Sequence, residues 1–188
     1  MSREINSELA LSSICRKLGL LHFEELMEYV QKLPYGRTSD RTDLSNVLLE
    51  SKGTCSSKHA LLKKVAQEND FDGLKLILAM YRMNEINTPG IGKEVAECGL
   101  SFIPEAHCFL EVDDQRIDLT SLEADLSRIE EDILQEWSID AEDVIDKKIL
   151  MHKEYLRNWL KNEQIPFTFE EIWALREQCI KNLSQNNG

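Results

Sequence analysis

Three residues whose types suit nucleophilic catalysis occur in the middle of the chain: Cys55, His107 and Asp118. Cys55 lies in the stretch GTCSSKHALL, where a helix-like run begins. The unpaired N–H groups and the positive end of a helix dipole lower a thiol pKa there, and the thiolate is the nucleophilic form. A histidine held by a carboxylate can exchange protons with such a sulfur. The alternative for Cys55 is a small, buried structural residue.

The stretch EAHCFLEVDDQRIDLT predicts two short strands joined by a turn at Asp113 and Asp114. With a two-residue turn, Phe109 faces Asp118, and His107 lies diagonally from Asp118 on the same face of the hairpin. The Cβ atoms of His107 and Asp118 would be somewhat under about 7–8 Å apart, which a hydrogen bond between the side chains can bridge. Two alternatives stay open: Asp118 caps the following turn, and His107 is an ordinary strand histidine.

The elements around these residues predict an α+β fold, with a small antiparallel sheet packed on helices. Periodic apolar positions predict six helices, over about 3–19, 22–33, 56–69, 121–136, 140–162 and 168–184. The segment LKLILAMYRM, residues 74–83, is dense in Leu and Ile with no helix or strand breaker, and it predicts a buried strand. Lysines 58, 63 and 64 are expected to point away from the apolar stripe of their helix.

Composition favours one globular domain over residues 1–188. The net charge of −12 argues against nucleic acid or an anionic membrane as a partner, because both require clustered Lys and Arg. No stretch is long and apolar enough to span a membrane, and Glu4 and Glu8 argue against a signal peptide. Five cysteines without a CxxC pair predict free thiols and a cytoplasmic location. The acidic balance favours a neutral or basic substrate.

Taken together, G-T-C-S-S-K-H-A-L-L, A-H-C-F-L-E-V and R-I-D-L-T resemble the transglutaminase-like superfamily, whose core is related to that of papain-like cysteine proteases. The resemblance covers about residues 50–121, with N-terminal helices in 1–33 and C-terminal helices in 122–184. Phe109, two places after the histidine, fits the usual motif, whereas Cys108 stands where the family often has Trp.

The resemblance implies that Cys55 is the nucleophile, His107 the general base and acid, and Asp118 the residue that orients the ring. It implies acyl transfer from a peptide or amide substrate, with no cofactor and no metal. Water as acceptor gives a protease or amidase, and an amine gives a transferase, of which arylamine acetyltransfer is a related case. The Cys55 backbone N–H would bind the oxyanion, with Tyr35 or Asn46 as candidate side-chain donors.

Two other classes of function remain open. A non-catalytic binding or scaffold protein could retain the same fold, and Cys55 would then have an ordinary thiol pKa. A metal site could combine Cys55 with His59, four residues later on the same helix face, and with Cys98, His107 or Cys108. That spacing matches no standard structural zinc module, so the sequence predicts no metal.

Overall fold

The computed structural model describes residues 3–186, which form an α+β fold of helices packed on one small sheet. The helices are α1 (Ala10–Lys17), α2 (Phe23–Lys32), α3 (Asn46–Leu49), α4 (Cys55–Glu68), α5 (Glu94–Glu97), α6 (Lys147–Asn162) and α7 (Phe169–Asn186). The strands are β1 (Leu74–Met83), β2 (Ile103–Val112), β3 (Gln115–Ile117) and β4 (Ile133–Ile139).

The four strands form an antiparallel sheet in the order β3-β2-β1-β4. β1 is one of the two inner strands, and the apolar residues from Leu76 to Tyr81, all buried, suit a strand that is covered on both faces. The chain turns from β2 into β3 at Asp113 and Asp114, whose φ angles of 49° and 63° define a type I′ hairpin turn. Leu110 consequently lies opposite Ile117, so the predicted two-residue turn and its register are confirmed.

Apolar side chains cover both faces of the sheet. The larger core lies between the sheet and α1, α2 and α4, and its strand residues alternate along β1 and β2: Leu74, Leu76, Leu78, Met80, Ala106, Cys108, Leu110 and Val112. A second core joins one end of the sheet to α5, α6 and α7. α4 packs on β1 and β2, and its first residue, Cys55, lies beside the backbone of Cys108 in the middle of β2.

The predicted helix over about 121–136 is wrong. This segment makes two 3-10 turns and then β4, which pairs with the second edge of β1 and places Trp137 opposite Leu78. One of the turns is capped by Asp125, whose carboxylate accepts the Ser127 N–H. Pairing with β1 therefore overrides the local helix preference of this acidic segment. The predicted block of C-terminal helices thus contains a strand as well.

The predicted helix at the beginning of the chain is too long, because the helix begins only at Ala10. The preceding residues are held away from the helical path by Asn69, whose side-chain oxygen accepts the backbone N–H groups of Asn6 and Ser7. The predicted helix over 140–162 likewise begins late, after a 3-10 turn. No helix within residues 3–186 has the length and apolar content needed to cross a membrane.

The expected outward orientation of Lys58 is also wrong. Its side chain is fully buried, and Nζ donates to the carbonyls of Leu33 at 2.5 Å and Thr120 at 2.6 Å. Burial lowers the pKa of Lys58 to about 8, although nearby Asp118 opposes that shift. Lys58 thereby ties the end of α2 to the loop that follows Asp118.

Candidate active site

Cys55 is the first residue of α4, and its side chain is buried. Thr54 caps the helix, because its Oγ1 accepts the Ser57 N–H while Ser57 Oγ accepts the Thr54 N–H. Gly53 precedes the cap, at a position where a Cβ would lie 2.8 Å from Cγ of Lys58. The Gly-Thr-Cys sequence therefore fixes the sulfur at the positive end of a 14-residue helix.

The His107 and Asp118 side chains are hydrogen-bonded, with 2.8 Å between Nε2 and Oδ2. This is the contact that the hairpin register predicts. The second oxygen of Asp118 accepts the Thr120 N–H at 2.9 Å, so Asp118 also caps the following turn. Burial raises the pKa of Asp118, but the His107 charge and hydrogen bond outweigh burial and hold that pKa below its ordinary value. Asp118 is therefore an ionised carboxylate at neutral pH.

Cys55 and His107 form the second half of the constellation, because the sulfur and the ring lie close enough for each to shift the pKa of the other. Since Nε2 is engaged by Asp118, Nδ1 is the ring nitrogen left for the sulfur. Burial raises the pKa of Cys55, but the charges of His107 and Lys148 outweigh burial, and the pKa falls to about 6. Burial lowers the pKa of His107, whereas Asp118 and Cys55 raise it well above its ordinary value. The pair is then a thiolate and an imidazolium at neutral pH.

Two kinds of donor could bind an oxyanion beside the sulfur. No residue in the described part of the chain accepts the backbone N–H of Cys55 or Ser56. Tyr35 lines the same cleft as Cys55, and burial and the Cys55 charge raise its pKa, so its hydroxyl stays protonated. Asn46, by contrast, donates to the Asp40 carbonyl and lies outside the cleft lining. Tyr35 is therefore the better side-chain candidate.

His59 is buried inside α4 and has both ring nitrogens engaged. Nδ1 donates to the Cys55 carbonyl at 2.7 Å, and Nε2 accepts the Leu119 N–H at 2.8 Å, which fixes the neutral tautomer. The ring thus connects the helix start to the residue after Asp118. No free nitrogen is left for a metal, and residues 3–186 contain no group of three His, Cys, Asp or Glu side chains placed to hold one.

Replacing His59 with glutamine is expected to make the fold less sensitive to acid. Burial lowers the pKa of His59 to about 4 from an ordinary 6.5. Between these values the unfolded chain binds the extra proton, so the free energy of unfolding falls as pH drops from about 6.5 towards 4. The full shift corresponds to about 3 kcal/mol. Urea unfolding of both proteins at pH 7 and pH 4.5 measures the effect, and an equal loss in both would contradict it.

Cys55 opens onto a cleft of about 350 Å³ bounded by α4, α6, α7 and the loop before α3. The C-terminal helices contribute much of the wall, including Lys148, His152, Trp173 and Arg176. α7 is attached to β2 by a buried pair in which Arg176 donates to both Glu105 oxygens, at 2.7 and 2.8 Å. The sequence has no signal for this wall, because a helix sequence does not show which of its side chains faces a distant sulfur.

Comparison with known proteins gives no family assignment. No protein-family model matches the chain, and neither the curated proteins nor the solved structures searched contain a match. The assignment of a function therefore depends on the geometry and charges of the residues themselves.

Proposed function

We propose that the protein is a thiol enzyme of the transglutaminase-like type, which transfers an acyl group through a thioester at Cys55. The observation that carries this proposal is the hydrogen-bonded pair of His107 and Asp118 beside Cys55, whose pKa the His107 charge lowers. A thiolate paired with an imidazolium, whose ring is held by a carboxylate, is the arrangement that a cysteine nucleophile requires. The position of Cys55 at the start of α4, packed on an antiparallel sheet, supports the same assignment.

In the proposed reaction, the Cys55 thiolate attacks the carbonyl carbon of an amide or ester. The resulting oxyanion is held by the Cys55 N–H and the Tyr35 hydroxyl. His107 donates its proton to the leaving amine or alcohol, and the C–N or C–O bond breaks to leave a thioester. His107 then takes a proton from water or an amine, whose attack breaks the C–S bond and restores the thiolate. Asp118 holds the ring and stabilises the imidazolium.

The dimensions of the cleft favour a small substrate. A volume of about 350 Å³ is near the lower end for small-molecule sites, and it suits a small acyl donor or a short peptide segment better than a folded protein. Amide hydrolysis or acyl transfer to a small amine therefore fits the cleft better than protein cross-linking.

Reaction with 4-nitrophenyl acetate tests the proposal. The expected result is a burst of about one equivalent of 4-nitrophenolate, together with an acetyl group on Cys55 located by peptide mass. Cys98 provides an internal reference because its thiol is exposed and lies outside the cleft lining. Cys55→Ser should remove the burst, and Cys98→Ser should retain it.

The opposite result has a clear meaning. Acetylation of Cys55 no faster than that of Cys98, with no burst, would contradict acyl transfer and favour a binding or scaffold protein that retains the fold.

A further inference from the structure

The cleft beside Cys55 is rich in positive charge, although the chain as a whole carries a net charge of −12. Five basic and two acidic side chains line it: Arg37, Arg41, Lys148, Lys153, Arg176, Glu105 and Glu177. The charge of the cleft lining is therefore opposite in sign to the net charge of the chain. The prediction of a neutral or basic substrate depends on that net charge and not on the cleft.

Two of these arginines are neutralised within the cleft. Arg176 is paired with Glu105, and Arg37 donates to both oxygens of Glu177, at 2.8 and 2.9 Å. These pairs occupy both acidic side chains of the cleft lining. Three cations remain with no carboxylate at ion-pair distance among residues 3–186: Arg41, Lys148 and Lys153.

Lys148 is the cation that acts on the reactive sulfur. Its side chain is 9% exposed, and Nζ donates to Oγ of Ser56, the residue after Cys55, at 2.6 Å. An ammonium group has three donors, and among residues 3–186 Lys148 uses one of them, for Ser56. Burying an ammonium is costly unless an anion and hydrogen bonds compensate. The Cys55 thiolate supplies part of that compensation, and two donors remain for an anionic ligand.

Lys153 adds a second charge on the same wall, one helical turn beyond Ile149. Its Nζ lies 5.1 Å from the centre of the Trp173 ring, which also lines the cleft. A cation–π contact of this kind holds a lysine in place without neutralising its charge. Arg41 contributes a third charge from the loop before α3, where it is exposed.

We infer that the acyl donor carries a carboxylate, which binds Lys148 with support from Arg41 and Lys153 while the donor's carbonyl meets Cys55. This inference rests on the proposed acyl transfer. Substrates of this class include monoamides of small dicarboxylic acids and peptides with an acidic residue next to the reactive bond. A carboxylate would supply the anion that the buried Lys148 ammonium lacks. The excess positive charge of the cleft lining would also attract it.

Alkylation of Cys55 by iodoacetate and by iodoacetamide tests the inference. The two reagents have the same reactive carbon, but iodoacetate carries a carboxylate where iodoacetamide carries a neutral amide. The rate constant for alkylation of Cys55 by each reagent is measured by peptide mass at low salt. Each is divided by the rate constant for alkylation of 2-mercaptoethanol by the same reagent, which removes the difference in intrinsic reactivity. The normalised ratio is expected to favour iodoacetate about tenfold. The ratio is independent of the thiolate fraction, which affects both reagents equally.

Lys148→Met should remove most of the preference for iodoacetate and leave the smaller part that Arg41 and Lys153 supply. Lys147→Met is the matched control, because its exposed ammonium pairs with Asp143 at 2.7 Å and lies outside the cleft lining. If Lys148→Met does not fold, the double variant Arg41→Met/Lys153→Met removes two charges from side chains that are not buried. That variant should also lower the ratio.

The outcomes separate the two proposals. A wild-type ratio near one, or a preference for iodoacetate that survives the loss of these cations, would overturn the inference and leave acyl transfer intact. Failure of Cys55 to react with either reagent would overturn the proposed function, and the inference with it.

Discussion

Replacing His107 with alanine is expected to raise the apparent pKa of Cys55 from about 6 to its ordinary value of 9.0 or above. Burial raises the pKa of this thiol, and without the imidazolium the Lys148 charge alone is too weak to offset it. The thiolate fraction at pH 7 should then fall about 100-fold. The pH profile of iodoacetamide alkylation, with Cys55 followed by peptide mass, measures the change.

Two further variants make this experiment specific. His107→Gln fills the side-chain volume better than alanine and keeps an amide beside Asp118, so it should give the same pKa change with less disturbance of packing. His152→Gln removes another buried histidine, whose Nε2 donates to the Pro104 carbonyl, and should leave the Cys55 profile unchanged. A low thiol pKa that persists in both His107 variants would show that the pair does not exist.

Replacing Glu105 with glutamine is expected to lower the free energy of unfolding by about 3–5 kcal/mol. The Glu105 carboxylate is buried and holds Arg176 by two hydrogen bonds. The substitution leaves that guanidinium largely buried, with the partly exposed Glu177 as its remaining charged partner. Urea unfolding at pH 7 measures the loss. Adding Arg176→Met should recover much of it, because no uncompensated charge then remains buried.

The same pair makes a pH-dependent contribution. Burial raises the pKa of Glu105, but the charges of Arg176 and His152 outweigh burial and hold that pKa at about 2, against an ordinary 4.5. The unfolded chain therefore takes up this proton first, so the stabilisation is present above about pH 4.5 and is lost as pH falls towards 2. Asp143→Asn breaks the more exposed pair with Lys147 and should cost less than about 1 kcal/mol. A Glu105→Gln loss no larger than that would contradict the prediction.

The parts of the fold that could be predicted are those with local signals. Asp113 and Asp114 form the turn themselves, and the contact between His107 and Asp118 follows from the resulting register. The start of α4 could be predicted to within one residue, because the helical spacing of Leu61, Leu62, Val65 and Ala66 extends back to a pattern that begins at Ser56. β1 could be predicted from its high content of Leu and Ile without a breaker, which needs no knowledge of its neighbours.

The parts that could not be predicted depend on distant partners. β4 is a strand because β1 offers it an edge, whereas the acidic segment that leads into it favours a helix. Lys58 points inwards because two carbonyls from separate segments, Leu33 and Thr120, converge on its ammonium. Lys148 belongs to the candidate site only through the packing of α6 beside the start of α4. In the sequence, β4 looks like part of a helix, and Lys58 and Lys148 look like ordinary exposed lysines.

The position of β1 between β2 and β4 has a consequence for the synthesis of the protein. One edge of β1 is paired by β2, whereas the other waits for β4, which lies beyond residue 121 in the chain. At about 5–20 residues per second, a ribosome needs a few seconds to synthesise the chain from the end of β2 to the end of β4. Until then an apolar strand has an open edge, which is a template for pairing with other chains. A nascent or truncated chain that already contains Cys55, His107 and Asp118 would therefore be prone to aggregate and would depend on chaperones.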